Sequence, residues 1–264
     1  MTTPNDYYKQ TEIDLQRLAK TNHPSTFRLW PPNLSVPFYE VHNYDGYLSH
    51  AKYESDKRLK EGAESYAMWH KAMEHSGWGF YGGDQYFFDC ATKIKTRTGS
   101  VRSSTYNLKA NHHYSCYERL SHNYINGFSR IVEWGAGVGD LAKFILKLGF
   151  KGDYTIVDLP GTLLSSGANF AEWPKSYRPT FTSEPPPHDG RRTLFVSTWA
   201  FSETPMELRD PALEIIKPDN WLIVAQRNIQ NWGYDNEEYF KDWEGVREEI
   251  PWNVWDGGSF ILAK

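Results

Sequence analysis

The sequence predicts an α/β fold, a mostly parallel sheet with helices packed on it, closed by an antiparallel hairpin. Three observations carry this expectation. Residues 131–158 read as strand, glycine turn, helix and strand in succession. Strand-like and helix-like stretches then alternate as far as Ala225, the rhythm of crossovers between parallel strands. Finally, the alternation of Ile250, Trp252 and Val254, the turn Asp256-Gly257-Gly258 and the apolar run Ser259 to Ala263 read as a hairpin, a common edge to such a sheet.

Up to about residue 40 the chain is polar, and Pro24, Pro31, Pro32 and Pro37 favour an extended arm. From Asp45 to His75 the apolar residues Tyr47, Ala51, Leu59, Ala63, Tyr66, Trp69 and Ala72 form a helical stripe, ended by Ser76 to Gly79 and by Gly82-Gly83. A short segment from Gln85 to Cys90 follows. The stretch Lys93 to Arg102 then places four cations in ten residues with no acid among them. It reads either as a solvated loop or as a clamp, through Arg97 and Arg102, for an anionic part of a ligand. A helix over 108–124 carries Tyr114, Tyr117, Leu120 and Tyr124 on one face, with His112 and His113 near its start. Residues 1–125 thus form an arm and a mostly helical cap, and 126–264 form the sheet domain.

The strand Ile131-Val132 runs into Glu133, and glycines follow at alternate positions, Gly135, Gly137 and Gly139. The helix after them has Leu141, Phe144, Ile145 and Leu148 at i, i+3, i+4, i+7 spacing. Asp140 sits in its first turn, where the helix dipole favours an anion, and Gly149 is placed to end it. Tyr154 to Val157 is a buried strand with Asp158 at its carboxyl end. Next come a weak helix over 163–173, a short strand over 179–183 and a buried strand over 193–197. Thr204-Pro205-Met206-Glu207 reads as a capping box, and Pro211 is expected to break or kink the helix it opens. A strand over 221–225 and a helix from Asp235 to about Glu248 precede the hairpin.

The βαβ unit with an acid at the end of its second strand has the geometry of a ligand site at the carboxyl ends of parallel strands. A dinucleotide site wants G-x-G-x-x-G, and here the third position is Asp140. The pattern E-W-G-A-G-V-G instead resembles the first motif of class I S-adenosylmethionine-dependent methyltransferases, which implies a Rossmann-like sheet of that class and S-adenosylmethionine as cofactor. It implies that the glycine turn lets the backbone approach the cofactor, that Glu133 lies beneath its amino-acid end, that Asp158 holds the two ribose hydroxyls, and that Trp134, Gly135, Ala136, Gly137, Gly139, Leu159 and Thr198 belong to the same cofactor site. Three segments, Glu133 to Leu141, Ile156 to Pro160 and Ser197 to Glu203, together with Arg102-Ser103-Ser104, are similar to a family of sugar O-methyltransferases over residues 95–264. That resemblance implies a small-molecule acceptor, a sugar or nucleotide-linked sugar. Hydroxyl methylation needs a proton acceptor. Glu203, just past a central strand, is the first candidate. His113 and its neighbour His112 are the others, with a surface or cap position as their plainer reading. Two other readings stay open: a cofactor-binding module that transfers nothing, and a nicotinamide oxidoreductase.

The rest of the composition narrows the classes. The formal charge of −4 indicates no general nucleic-acid or membrane surface. Aromatic residues at 16% serve either core packing or the stacking of rings. Cys90 and Cys116 have no paired spacing, which argues against a disulfide framework or zinc and suits a reducing cytoplasm. No clustered acids follow the fourth and fifth strands, so a metal is not expected. The segment STWAFSE lacks the D-P-P-Y type of motif for amine methylation, and neither cysteine follows a proline, as a cytosine C5 enzyme requires. There is no apolar leader and no run long enough to span a membrane. The sequence does not indicate an oligomeric state.

Overall fold

The computed structural model describes residues 92–96, 99–103, 105–137, 139–171, 173–229, 233–250 and 258–264. The expected arm, the helix over 45–75 and the segment 85–90 lie outside the described residues. Strands β1 (Thr92–Thr96) and β2 (Gly99–Ser103) pair antiparallel, so the basic stretch is a hairpin rather than a loop. Helix α1 (Thr105–Ser121) leads into the sheet. It starts and stops three residues earlier than its sequence pattern suggests. Tyr114, Tyr117 and Leu120 are buried as expected, but Tyr124 lies past the helix and is 74% exposed.

The sheet domain alternates strands and helices in chain order: β3 (Arg130–Trp134), α2 (Asp140–Lys147), β4 (Asp153–Val157), α3 (Pro160–Phe170), β5 (Thr180–Thr182) and β6 (Thr193–Thr198). There follow α4 (Ala200–Glu203), α5 (Met206–Ile216), β7 (Asn220–Gln226), the small pair β8 (Asn228–Ile229) and β9 (Tyr234–Asp235), α6 (Asn236–Tyr239), β10 (Val246–Ile250) and β11 (Ser259–Ala263). Among the described residues the main sheet has seven strands in the order β10-β11-β7-β6-β3-β4-β5. The pairs from β5 through β7 are parallel, while β11 runs antiparallel to both β7 and β10. This is the predicted fold class, a mostly parallel sheet with a closing antiparallel hairpin.

Side chains alternate across a strand, so each central strand supplies both faces of the sheet. Ile131, Ile156, Leu194, Val196, Leu222, Val224 and Ile261 meet α1 and α2 through Tyr117, Leu120, Leu141, Phe144 and Ile145. On the other face Val132, Val157, Phe195, Ile223, Ala225, Phe260 and Leu262 meet Phe201, Ile216 and Phe240. Helix α1 is therefore packed into the same core as the strands. The edges are blunted against further pairing. β5 has three residues, and β10 carries Arg247, Glu248 and Glu249.

Several local expectations give way to packing. Thr204 does not cap α5, because its hydroxyl donates to the Ala200 carbonyl at 2.9 Å and accepts the Trp134 indole N–H at 2.9 Å. Pro205 is the cap residue instead, with no side-chain cap bond. Helix α5 runs through Pro211, whose would-be partner carbonyl, at Glu207, is on an exposed residue. The helix expected from 235 to 248 is only α6. Asp235 does cap it, accepting the Glu238 N–H at 3.0 Å. Then Phe240 and Trp243 turn into an aromatic cluster with Phe201 and Phe260. Gly245, at φ 117, swings the chain into β10, where an added Cβ would stand 2.4 Å from the Ala263 carbonyl oxygen. Residues 251–257, including most of the expected turn, lie outside the described residues.

Arg119 on α1 grips Glu248 on β10 with two bonds of 2.7 and 2.6 Å, fastening the helix to the edge strand. The pair is half-exposed, so its worth is near the top of the range for surface pairs. Arg119→Ala is expected to lower unfolding free energy by about 1 kcal/mol, read as a lower urea midpoint at constant m-value.

Candidate functional site

The strand order reverses beside β3. The chain passes from β3 to β4 and β5 on one side, then returns to place β6 and β7 on the other. In open α/β sheets that switch point leaves a crevice at the carboxyl ends of the strands. Here two turns border it, Gly135 to Gly139 after β3 and Trp199 to Thr204 after β6.

Gly135, Gly137 and Gly139 all have positive φ, at 73°, 58° and 80°. An added Cβ on Gly135 would lie 1.9 Å from the Ala200 Cβ, so the two turns touch where only glycine fits. On Gly139 it would lie 2.9 Å from the Phe170 ring, which is why helix α2 can pack close to α3 with glycine as its cap residue. The middle peptide is held from both sides. The Gly137 N–H donates to Asp158 Oδ2 at 3.0 Å, and the Gly137 carbonyl accepts the buried Ser166 hydroxyl at 2.8 Å. Asp158 Oδ1 accepts the Leu159 N–H at 2.8 Å. The acid at the end of β4 is thus joined directly to the glycine turn. Glu133, under that turn, is 1% exposed and accepts the Tyr154 hydroxyl at 2.8 Å.

The second turn is fixed by the hydroxyls of Ser197, Ser202 and Thr204. Ser197 Oγ donates to the Trp134 carbonyl and accepts the Phe201 N–H, each at 2.9 Å. Trp199 stands at φ 80, ψ −46, a conformation costly for a residue with a side chain. Its N–H donates to the Val224 carbonyl at 2.7 Å, and its carbonyl accepts the Ser202 hydroxyl at 2.5 Å. Below lies Arg209, wholly buried, whose guanidinium donates to the carbonyls of Thr204 (2.8 Å) and Ser202 (2.7 Å) and to Asn236 Oδ1 (2.7 Å). Those two carbonyls flank Glu203. Burial brings the Arg209 pKa down to about 10, so it keeps its charge at neutral pH.

The sequence candidates fall into distinct places. Glu133, Ala136, the glycines, Asp158, Leu159 and Thr198 belong to the two turns and the strand ends beside them. Trp134 points to the opposite face from Glu133, bonded to Thr204 and edge-on to Phe201 at 5.8 Å. Glu203 is half-buried at the end of α4. His113, on α1, is not a surface residue. It is 1% exposed, with its ring edge-on to Trp199 at a centroid distance of 6.3 Å. The side chain of His112 lies outside the description. So does Arg97, while Arg102 is described only as a backbone position of β2 opposite Lys93. Among the described residues no group of three or more His, Cys, Asp or Glu side chains is placed to hold a metal ion, and no helix is long and apolar enough to cross a membrane.

Sequence reasoning passed over Tyr154, Ser166, Arg209 and Asn236. Arg209 did leave a trace. It shares a buried helix face with Ala212 and Ile216 at i, i+3, i+7, an arginine in a core position of the stripe.

The sheet order defines a Rossmann-like α/β fold whose strand order reverses beside β3. No protein-family model and no curated protein matches the chain. Among solved structures, it is similar to magnesium protoporphyrin IX methyltransferase from Synechocystis PCC 6803, at 13% identity and a TM-score of 0.42, over 60% of this chain and 77% of that one. It is also similar to human N-acetylserotonin methyltransferase, at 15% identity and 0.37, over 61% and 55% of the two chains. An rRNA methylase from Escherichia coli aligns at 14% identity and 0.36, over 60% and 68%. Likeness at this level carries no correspondence between individual residues.

Gly135→Ala tests the contact between the turns. It adds a methyl group where Ala200 already stands and places an L-residue at φ 73. The expected cost is about 3 kcal/mol, combining overpacking with left-handed backbone strain, measured by denaturant unfolding.

Proposed function

We propose that the protein is an S-adenosylmethionine-dependent methyltransferase acting on a hydroxyl of a small molecule, a sugar or nucleotide-linked sugar. The observation that carries the cofactor assignment is the positive-φ glycine turn bonded through the Gly137 N–H to Asp158, with buried Glu133 beneath it. The two carboxylate acceptors suit a ligand with hydroxyls and a cationic end. A carboxylate has about four acceptor directions, and the two N–H bonds on Asp158 fix its plane for receiving ribose hydroxyls. A dinucleotide fits poorly. Its pyrophosphate would sit at the start of α2, where Asp140 already supplies an anion.

When bound, S-adenosylmethionine supplies a methyl group on a positively charged sulfur. The chain's own residues do the remainder. Gly135, Ala136, Gly137 and Gly139 allow close backbone approach, with Trp134 bracing the turn from the opposite face. Leu159, next after Asp158, and Thr198, at the end of β6, are further residues that contact the cofactor. Glu203 accepts the proton of the acceptor hydroxyl, held in place by the grip of Arg209 on both neighbouring carbonyls. His113, sealed against Trp199, is the alternative base. Arg97 and Arg102 bind an anionic part of the acceptor, supported by the four cations of that stretch with no acid among them. The sugar assignment rests on the resemblance of Ser197 to Glu203, with its companion segments, to sugar O-methyltransferases.

S-adenosylhomocysteine at a hundred times its dissociation constant is expected to stabilise the fold by about 2.7 kcal/mol in a thermal-shift or denaturant assay, and NAD is not. Stabilisation by NAD alone would overturn the cofactor reading.

Glu203→Gln keeps the shape of the side chain and removes the base. With labelled S-adenosylmethionine and a panel of sugars and nucleotide sugars, turnover of the variant is expected to fall about 10²- to 10⁴-fold while S-adenosylhomocysteine affinity holds. Unchanged turnover would take the role from Glu203. The same loss in His113→Gln alone would move it to His113. Tight cofactor binding with no acceptor methylated would favour a non-catalytic binding module.

A further inference from the structure

Beneath the glycine turn the carboxylate of Glu133 is closed off from water, and the side chain that reaches it from the next strand is Tyr154. β3 and β4 pair with Ile131 opposite Tyr154 and Glu133 opposite Ile156. Alternation along each strand puts all four residues on the same face of the sheet, beneath α2. From there the Tyr154 hydroxyl donates to Glu133 Oε2 at 2.8 Å, and both residues are buried. We infer that Tyr154 is a positioning residue for the amino-acid end of the cofactor, acting through Glu133 rather than by contact. The inference rests on the cofactor reading above.

The physical case has three parts. A buried carboxylate stays ionised only if donors replace the water it has lost. Tyr154 is a dependable donor, because burial, and then the charge of Glu133, push its phenol well above the ordinary range and keep the proton on its oxygen. Of the pair, Glu133 is therefore the acid that can carry negative charge, directly under a turn whose glycines bring the backbone close to a ligand. A fixed anion in a low-dielectric site attracts a cation without needing to touch it. The α-ammonium group of S-adenosylmethionine is such a cation. Tyr154→Phe removes one donor, favours protonation of Glu133, and so weakens the attraction at one end of the ligand only.

The test compares two ligands. S-adenosylhomocysteine carries the α-ammonium group, and 5′-methylthioadenosine shares its nucleoside but lacks the amino-acid end. In calorimetric titrations Tyr154→Phe is expected to weaken S-adenosylhomocysteine roughly tenfold, the scale of one charge-assisted hydrogen bond, and to change 5′-methylthioadenosine less than about twofold. A merely structural tyrosine would weaken both alike, and that result, or no change in either, overturns the inference. Glu133→Gln provides the second arm. It should reproduce the selective loss, and in that background Tyr154→Phe should not alter the ratio of the two affinities further. An additive effect in the double variant would show that the residues act separately and would also overturn it. If the wild-type protein binds neither ligand, the cofactor reading itself falls. If it binds both and only the variant pattern fails, the role of Tyr154 falls alone.

Discussion

The contact between Gly135 and Ala200 is the constraint on which the crevice depends. β3 and β6 are adjacent in the sheet but far apart in the chain, and the turns leaving them must pass without collision. Glycine at Gly135 removes the one side-chain atom that would block the passage. Three hydrogen bonds then set the spacing: Ser197 to the Trp134 carbonyl, Ser197 from the Phe201 N–H, and the Trp134 indole to Thr204. Gly137 adds the third wall by tying the turn to Asp158, just past the end of β4. Three neighbouring strand ends are thereby fixed by short polar contacts rather than by apolar burial, which has no preferred direction.

How far this was legible in the sequence depended on the range of the interaction. The βαβ unit could be read because its determinants are local: alternate glycines, a helical stripe and an acid at a strand end. The last strand was legible from the apolar run Ser259 to Ala263, but its partner is Val246–Ile250, whereas the alternation of Ile250, Trp252 and Val254 falls mostly outside the described residues. Thr204 shows what a local rule misses. Its position fits a capping box, yet its hydroxyl is taken by Trp134 and Ala200, and Trp134 is seventy residues away along the chain. The helix expected after Asp235 failed similarly: it ends at Tyr239, and Phe240 and Trp243 join the aromatic cluster of Phe201 and Phe260. His113 carried no sign of burial, since its neighbour Trp199 comes from another element. Tyr154 reads as one more apolar residue of a buried strand, and only the register of β3 against β4 reveals its partner.

Arg209 is the most unusual interior residue. Its guanidinium has neutral acceptors, two carbonyls and an amide oxygen, and lies over the Tyr239 ring at 4.8 Å. No carboxylate pairs with it among the described residues. A buried cation is tolerable here because the planar fork satisfies three oxygens at once and an aromatic face receives part of the charge. Asn236 bonds both to Arg209 and to the Ser202 carbonyl, at 2.7 and 3.1 Å, so α6 is docked on the turn that carries Glu203. The segment after β7 and the turn after β6 form one polar unit.

The position of β11 has a kinetic consequence. It lies between β7 and β10, although it follows both in the chain. Among the described residues β10 has no other strand neighbour in the main sheet, so it cannot join until the strand that follows it in the chain has closed a loop onto β7. The β3–α2–β4 unit needs no such delay, because its pairing closes over a short span. Assembly is therefore expected to run outward from the glycine turn toward the hairpin, with the far edge arriving as a single cooperative step.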